Sequence, residues 1–532
     1  MKRSICLYFQ IHQPFRLRTY RFFDIGADDH YYDDYQNRYL IRRISEKCYL
    51  PANATLLNAL NNIEEDFKVS FSISGTALEQ FIKYSPEVIA SFRSLAETGK
   101  VEFLAETWAH SLAALKSKSE FETQVKKQAQ LIEQYFGQKP VTFRNTELVY
   151  SDDIAEMVAE MGFKTMLTEG AKHILGWKSP NFLYSSADEP KLNLLLRNYR
   201  LSDDIAFRFS NQAWSEWPLT ADKFSDWLNM IPSNEPVVNL FMDYETFGEH
   251  QWAETGIFDF LSALPYSVLK NTDFAFRTPS EVSEILKPVS SVFVPYPISW
   301  ADEERDLTAW LGNEMQDEAF DKIYALAEKM QKVTDGKLLS DWNKLQSSDH
   351  FYYMCTKWFS DGEVHKYFNP YNSPYEAFIN YMNVYSDFVI RVDNYFIENP
   401  IEGVLEEKID EVFSLSKEIT KEIKKKARKV KNDLMKEFAE DRQKIKEIDF
   451  DELWQKSDKE IKKFINSLDM QTLLASLNDM GEDVEERVKS LLNNENKKKF
   501  IEFKDNVRKV SKQKINASKK MISDLWNQID KS

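Results

Sequence analysis

"VVNLFMDYETFGEH", residues 237–250, places a mostly apolar, β-favouring run directly before Asp243, Glu245, Glu249 and His250. Bounded by polar residues and a glycine, the run reads as a buried strand over 237–242 that delivers acids and an imidazole to a rim. Six further runs have the same character: "ICLYFQI" (5–11), "KVSFSI" (68–73), "KVEFLA" (100–105), "VTFR" (141–144), "KTMLT" (164–168) and "KLNLLLR" (191–197). Helical patterns fill the intervals, among them "LEQFIKYSPEVIASFRSLAETG", "EFETQVKKQAQLIEQYFG" and "SDDIAEMVAEMGF". The last of these opens on a Ser-Asp-Asp N-cap signal and closes near Gly162. Strand alternating with helix predicts an α/β fold with a parallel sheet. Seven such units over residues 1–285 predict an incomplete (β/α)7 barrel.

The residues that follow the strands carry the chemistry. The first strand runs into His12-Gln13-Pro14, the third into Glu106, Trp108 and His110, the fourth into Glu147, and the seventh into Asp243 and Glu245. In parallel α/β barrels the C-terminal strand ends meet at one face, where catalytic groups are assembled. Four distant segments therefore converge on one rim of carboxylates, imidazoles and indoles, which marks these residues as reactive or binding groups rather than loop polarity.

At 532 residues the chain exceeds one ordinary core, so more than one domain is expected. Residues 286–400 change to helices mixed with aromatic-rich loops, which predicts a helical subdomain lining one side of the cleft. Pro400 is the last proline; residues 401–532 hold no His, Cys or Tyr and only two glycines. Rich in Lys, Glu, Asp, Leu and Ile, this segment reads as a charged helical extension, a bundle or coiled hairpin, able to self-associate or recruit a protein partner.

A net charge of −16 excludes a polyanionic partner such as nucleic acid, which is held by Lys and Arg at phosphates. A neutral substrate suits the chain, and its 12 Trp and 24 Tyr offer faces for flat rings as well as core packing. Cys6, Cys48 and Cys355 are widely spaced and odd in number, so they imply neither a disulfide framework nor a metal site. The N-terminal apolar run is broken by Gln10 and reads as a strand rather than a signal peptide. No stretch approaches the roughly 18 apolar residues of a membrane span. A cytoplasmic location follows as the expectation.

Five ordered stretches, "QIHQP" (10–14), "VEFLAETWAH" (101–110), "FRNTEL" (143–148), "MDYETFGEH" (242–250) and "ERDLTAWLGN" (304–313), give the chain a specific resemblance. Over roughly residues 1–400 it resembles glycoside hydrolase family 57, in its α-amylase-like branch. The resemblance implies the incomplete barrel with a helical subdomain, and retaining hydrolysis or transfer of α-glucosidic bonds without a required metal or cofactor. Carried over by motif, Glu147 matches the family's nucleophile and Asp243 its general acid/base. His12, Trp108, His110, Glu245, His250, Asp306 and Trp310 match positions that line the sugar subsites. A retaining glycosidase needs two carboxyl groups about 5–5.5 Å apart, one ionised and one holding a proton. Asp243 crowded by Glu245 and Glu147 suits the second role, and Arg144 or a His beside Glu147 suits the first.

One departure matters: some branches read His-x-His-Gln-Pro, where this chain has Gln10, which hydrogen-bonds well but ligates metal poorly. The expected activity is α-amylase-type hydrolysis of maltooligosaccharides or starch-like glucans. The alternatives are 4-α-glucanotransfer on the same substrates and a non-catalytic glucan-binding scaffold. A metal-dependent deacetylase on a related barrel would want an Asp and a His-x-x-x-His cluster, which the chain lacks.

Overall fold

The computed structural model describes residues 2–64, 66–357, 369–399, 454, 456–466, 468, 470–477, 481–507 and 512–529. The chain divides into two compact units, Met1–Glu406 and Glu407–Ser532. The first is an α/β assembly with ten strands among the described residues: β1 (Arg3–Ile11), β2 (Val69–Ile73), β3 (Val101–Phe103), β4 (Thr142–Arg144), β5 (Thr165–Glu169), β6 (Leu183–Ser186), β7 (Asn193–Arg197), β8 (Val237–Asp243), β9 (Phe274–Phe276) and β10 (Ser291–Val292). The seven expected runs are β1 to β5, β7 and β8. The other three leave no extended apolar run: β6 (LYSS) and β10 (SV) are half serine, and β9 (FAF) is three residues between Asp273 and Arg277.

The strands form two sheets. One has the order β3-β2-β1-β8, with β9 also on β1; the other runs β10-β6-β7-β5-β4. Every pairing is parallel except β6 with β7. Parallel strands are covered on both faces, so their sequences are apolar without strict alternation; β2 and β5 are buried at every position. Two places join the sheets. The amide of Ala105 donates to Thr142 O and that of Arg144 to Ala105 O, both at 2.9 Å, and the amide of Asn198 donates to Asn239 O at 2.9 Å. Within the first sheet Gln10 stands opposite Asp243 in register, which brings the ends of β1 and β8 to the same level.

Local signals explain the helices between strands. Ser74, Ser117 and Ser151 cap the helices Gly75–Tyr84, Lys118–Phe136 and Asp152–Glu160, each hydroxyl accepting an orphan amide of the first turn. Gly137 ends the second of these in the left-handed region, φ 70°. The long helical pattern beginning at Leu78 breaks at Pro86, which opens a new helix, Pro86–Glu97, because its ring cannot continue the old one. Much of the aromatic content goes into the core: Phe103 stacks on Phe136 at 4.4 Å, and Phe9 meets Tyr244 at 4.9 Å.

The helices Glu314–Tyr324, Gly336–Leu345, Ser348–Tyr352 and Pro374–Glu398 complete this unit. Asn380 and Asp387 on the last of them accept the amides of Tyr20 and Gly26, at 2.7 and 2.6 Å. The second unit contains the helices Asp458–Ile465, Met470–Leu477, Glu482–Leu491, Asn494–Val507 and Lys512–Ile529. Their apolar stripes meet in a separate core in which Phe464 sits edge-on to Trp526 at 4.9 Å. The expected helical character of residues 401–453 lies outside the described residues. Among the described residues no helix is long and apolar enough to cross a membrane.

Candidate active site

Beyond β4 the chain enters the tight turn Thr146–Leu148, in which Glu147 and Leu148 adopt φ 55° and 53°. Residues other than glycine persist in this left-handed region only where their surroundings over-determine it. Here the amide of Val149 donates to Thr146 O at 2.9 Å, Asn145 Nδ2 to Val149 O at 3.0 Å, and the amide of Trp300 to Glu147 O at 3.1 Å. The turn points the Glu147 carboxylate into a cleft of about 440 Å³.

Both carboxylate oxygens are engaged. Oε1 lies 2.9 Å from His110 Nε2, and Oε2 accepts the indole N–H of Trp300 at 2.6 Å. Burial alone would raise this carboxyl's pKa. The hydrogen bond and charge of His110, the Arg144 guanidinium and the Trp300 donor outweigh burial and hold it at about 2. The side chain keeps 21% of its surface exposed, enough for a reacting carbon to reach it.

His110 is the hinge of the electrostatics. Its Nδ1 faces Glu106 Oε2 at 3.0 Å while Nε2 faces Glu147, so both ring nitrogens meet carboxylates. Burial works against the charged ring, yet the two acids raise its pKa to about 9. His12 stacks on it, ring centroids 4.1 Å apart. His12 itself bonds Ser74 Oγ at 2.8 Å and Asp349 Oδ2 at 2.7 Å. Burial and the neighbouring His110 charge lower the His12 pKa, against the pull of Asp349. Asp349 is held well below the carboxylate range: burial would raise it, but His12 and His110 prevail.

Asp243 ends β8 half-buried across the cleft. Burial and the Glu147 charge push its pKa up to about 6, with Arg144, His110 and Arg197 opposing. Glu245, fully enclosed two residues on, accepts from Tyr49 Oη and from Gln13 Nε2, the latter at 3.1 Å. Burial, then the Asp243 charge, raise it to about 8. Beneath the pair lies Arg144, buried, with no hydrogen-bond partner for its guanidinium among the described residues and with the Trp300 ring 5.0 Å away. One carboxylate kept ionised and a second kept protonated across a cleft are the pairing that acid-assisted nucleophilic displacement requires.

Of the nine residues expected here, six line the cleft: His12, His110, Glu147, Asp243, Glu245 and His250. The structure puts the other three elsewhere. Trp108 is buried against Gly75, where even a Cβ would come within 2.0 Å of the indole, and Lys127 Nζ sits 3.8 Å over its ring. Trp310 is 2% exposed and packs on Tyr352. Asp306 turns back on its own loop, its Oδ1 accepting from Thr308 N and Oγ1 at 2.9 and 2.6 Å. His12 and His110 have all four ring nitrogens bonded within the protein. Gln10 is likewise committed internally, its Oε1 accepting Tyr8 Oη and Ser72 Oγ, both at 2.7 Å.

Trp300 and Asp349 also line the cleft, and no sequence pattern singles them out. Trp300 lies just ahead of the "ERDLTAWLGN" stretch, and its distance from Glu147 in the chain hides the bond between them. Asp349 comes from a short helix, Ser348–Tyr352, with no motif around it. Among the described residues no group of three or more His, Cys, Asp or Glu side chains is arranged to hold a metal ion.

The profile of Glycosyl hydrolase family 57 matches residues 6–295. A protein of Methanocaldococcus jannaschii named "Putative alpha-amylase" is 41% identical over 396 residues, covering 71% of this chain and 83% of the relative. The chain belongs to glycosyl hydrolase family 57. Among solved structures, this family 57 fold is similar to a 4-alpha-glucanotransferase from Thermococcus litoralis, with TM-score 0.54 and 15% identity. That match covers 74% of this chain, which spans 60% of the length of the glucanotransferase. It is also similar to a family 57 branching enzyme from Thermococcus kodakaraensis, with TM-score 0.55 and 13% identity over 77% of this chain and 94% of that one. At these identities the structural likenesses speak to fold.

Proposed function

We propose that this family 57 glycoside hydrolase is an α-amylase-type enzyme that cleaves α-1,4-glucosidic bonds in maltooligosaccharides and starch-like glucans with retention. The observation that carries the reading is the meeting of Glu147 and Asp243 in one cleft, with the Glu147 carboxylate bonded by His110 and Trp300 and the Asp243 pKa pushed upward by burial and the Glu147 charge. Glu147 attacks the anomeric carbon as its bond to the glycosidic oxygen breaks, and Asp243 gives its proton to that oxygen. Water then attacks the same carbon, its proton passing to Asp243, and Glu147 leaves as a carboxylate. Six of the expected residues border the cleft, and the family 57 relative named for α-amylase supports the substrate class.

We also read the two sheets as one incomplete (β/α)7 barrel, on the strength of the hydrogen bonds that link Ala105 to β4 and Asn198 to β8. Its C-terminal strand ends then form the catalytic rim, flanked by the helical segment 286–400. Three buried thiols, Cys6, Cys48 and Cys355, suit a reducing, cytoplasmic setting.

Incubation with maltoheptaose tests the function. Shorter maltooligosaccharides from the wild type and none from Glu147→Gln are expected, and no products from either would overturn the reading. Transfer is the second reading, favoured by Phe207, 45% exposed on the cleft wall, where an acceptor sugar can stack in place of water. Products longer than the substrate would select it.

A further inference from the structure

The contact between His110 and Glu147 is the end of a longer buried line. Tyr8 Oη and Ser72 Oγ both donate to Gln10 Oε1, which turns Gln10 Nε2 towards Glu106, 3.2 and 3.3 Å from its two oxygens. The backbone amide of Glu106 is fixed in turn by Gln128 Oε1 at 3.2 Å. Glu106 is 0% exposed, and a carboxylate so enclosed is tolerable only with a charged partner. That partner is His110. Its two nitrogens face carboxylates on opposite sides, and only the doubly protonated ring can donate to both.

We propose that Glu106 and Gln10 are positioning residues for the glycosidase reaction: Glu106 keeps His110 doubly protonated and aimed at Glu147, and Gln10 keeps Glu106 in place. This rests on the reading of Glu147 as the nucleophile. Its use lies in the covalent step. When Glu147 forms its ester with the anomeric carbon its negative charge is consumed, and an imidazolium facing only that ester would lose its proton. Glu106 supplies the charge that retains it. The same donor is then in place when the ester bond breaks and Glu147 leaves as an anion.

The other groups around His110 are consistent with this division. Arg144 and Glu147 approach from β4, Asp243 from β8, Asp349 from the helix Ser348–Tyr352, and His12 stacks from β1. Arg144, the fixed cation in this set, works against a charged His110. Glu106 is the acid bonded to its second nitrogen. His12 has its charge disfavoured, which avoids two cationic rings at 4.1 Å.

The test is histidine side-chain NMR on the full chain, together with pH profiles of kcat/KM on maltoheptaose. In the wild type, His110 stays an imidazolium to about pH 8. In Glu106→Gln its midpoint falls by about one pH unit or more. The acid limb of kcat/KM rises in parallel, and kcat falls about tenfold with KM within about threefold. Gln10→Leu, which removes the amide that orients Glu106, moves both readouts the same way by a smaller amount and serves if Glu106→Gln does not fold. A folded variant whose His110 midpoint and acid limb match the wild type overturns the proposal. Azide added to Glu147→Ala separates this from the underlying assignment: restored turnover to a glycosyl azide supports Glu147 as nucleophile. Its absence strikes that assignment, while the NMR midpoint still decides whether Glu106 holds the charge on His110.

Discussion

At the scale of single residues the proposed mechanism rests on two carboxyl groups set apart. In it Asp243 carries a proton and Glu147 does not, so kcat/KM is expected to be lost as pH rises through about 6 and as it falls through about 2. A pH profile with its alkaline limb near 6 is expected, falling about tenfold per pH unit beyond it, and Asp243→Asn removes most activity at every pH. Glu245 makes a separate prediction about stability. Its folded pKa is raised from 4.5 to about 8, so the folded state resists an ionisation that the unfolded chain undergoes freely. Stability from this group is full below the unfolded value and is lost as pH climbs to the folded one. Glu245→Gln escapes that loss. Thermal melts are expected to show the variant gaining on the wild type between about pH 4.5 and 8, by about 1.4 kcal/mol for each pH unit climbed. Equal slopes across that window would refute it.

Elements were legible where their physics is local. Parallel strands buried on both faces leave continuous apolar runs, and β1 to β5, β7 and β8 could be read for that reason; β6 and β10 are half serine and β9 is a bare Phe-Ala-Phe between Asp273 and Arg277, so none of them leaves one. Glu147 and Asp243 were legible because each follows such a run directly. Trp108 follows one too, yet it turns into the protein while His110, two residues on and at φ 53°, turns into the cleft; spacing alone does not separate the two. Asp349 and Trp300 arrive from a helix and an irregular segment, and only packing decides where they end. The junction of β2 with the helix Gly75–Tyr84 shows how tight that packing is. Gly75→Ala sets a methyl 2.0 Å from the Trp108 indole and is expected to destabilise by about 1–3 kcal/mol, read as a lowered Tm. An unchanged Tm would mean that the indole has room to move.

At the scale of the molecule, every described residue lining the cleft belongs to the unit Met1–Glu406. The unit Glu407–Ser532 has its own apolar core around Ile461, Phe464, Leu473 and Ile522. A chain ending at residue 406 is therefore expected to keep kcat/KM on maltoheptaose within about twofold, and its oligomeric state by light scattering shows whether the second unit mediates association. Loss of activity in a folded truncation would tie the units together functionally. The order of synthesis gives the Glu147 turn one more meaning. Both carboxylates have been added to the chain by residue 243, yet the indole that secures the turn comes at 300 and the acid that clasps His12 at 349. Domains fold as units while they emerge, so the nascent chain carries its reactive pair for more than a hundred residues of translation before the last of these clasps exists.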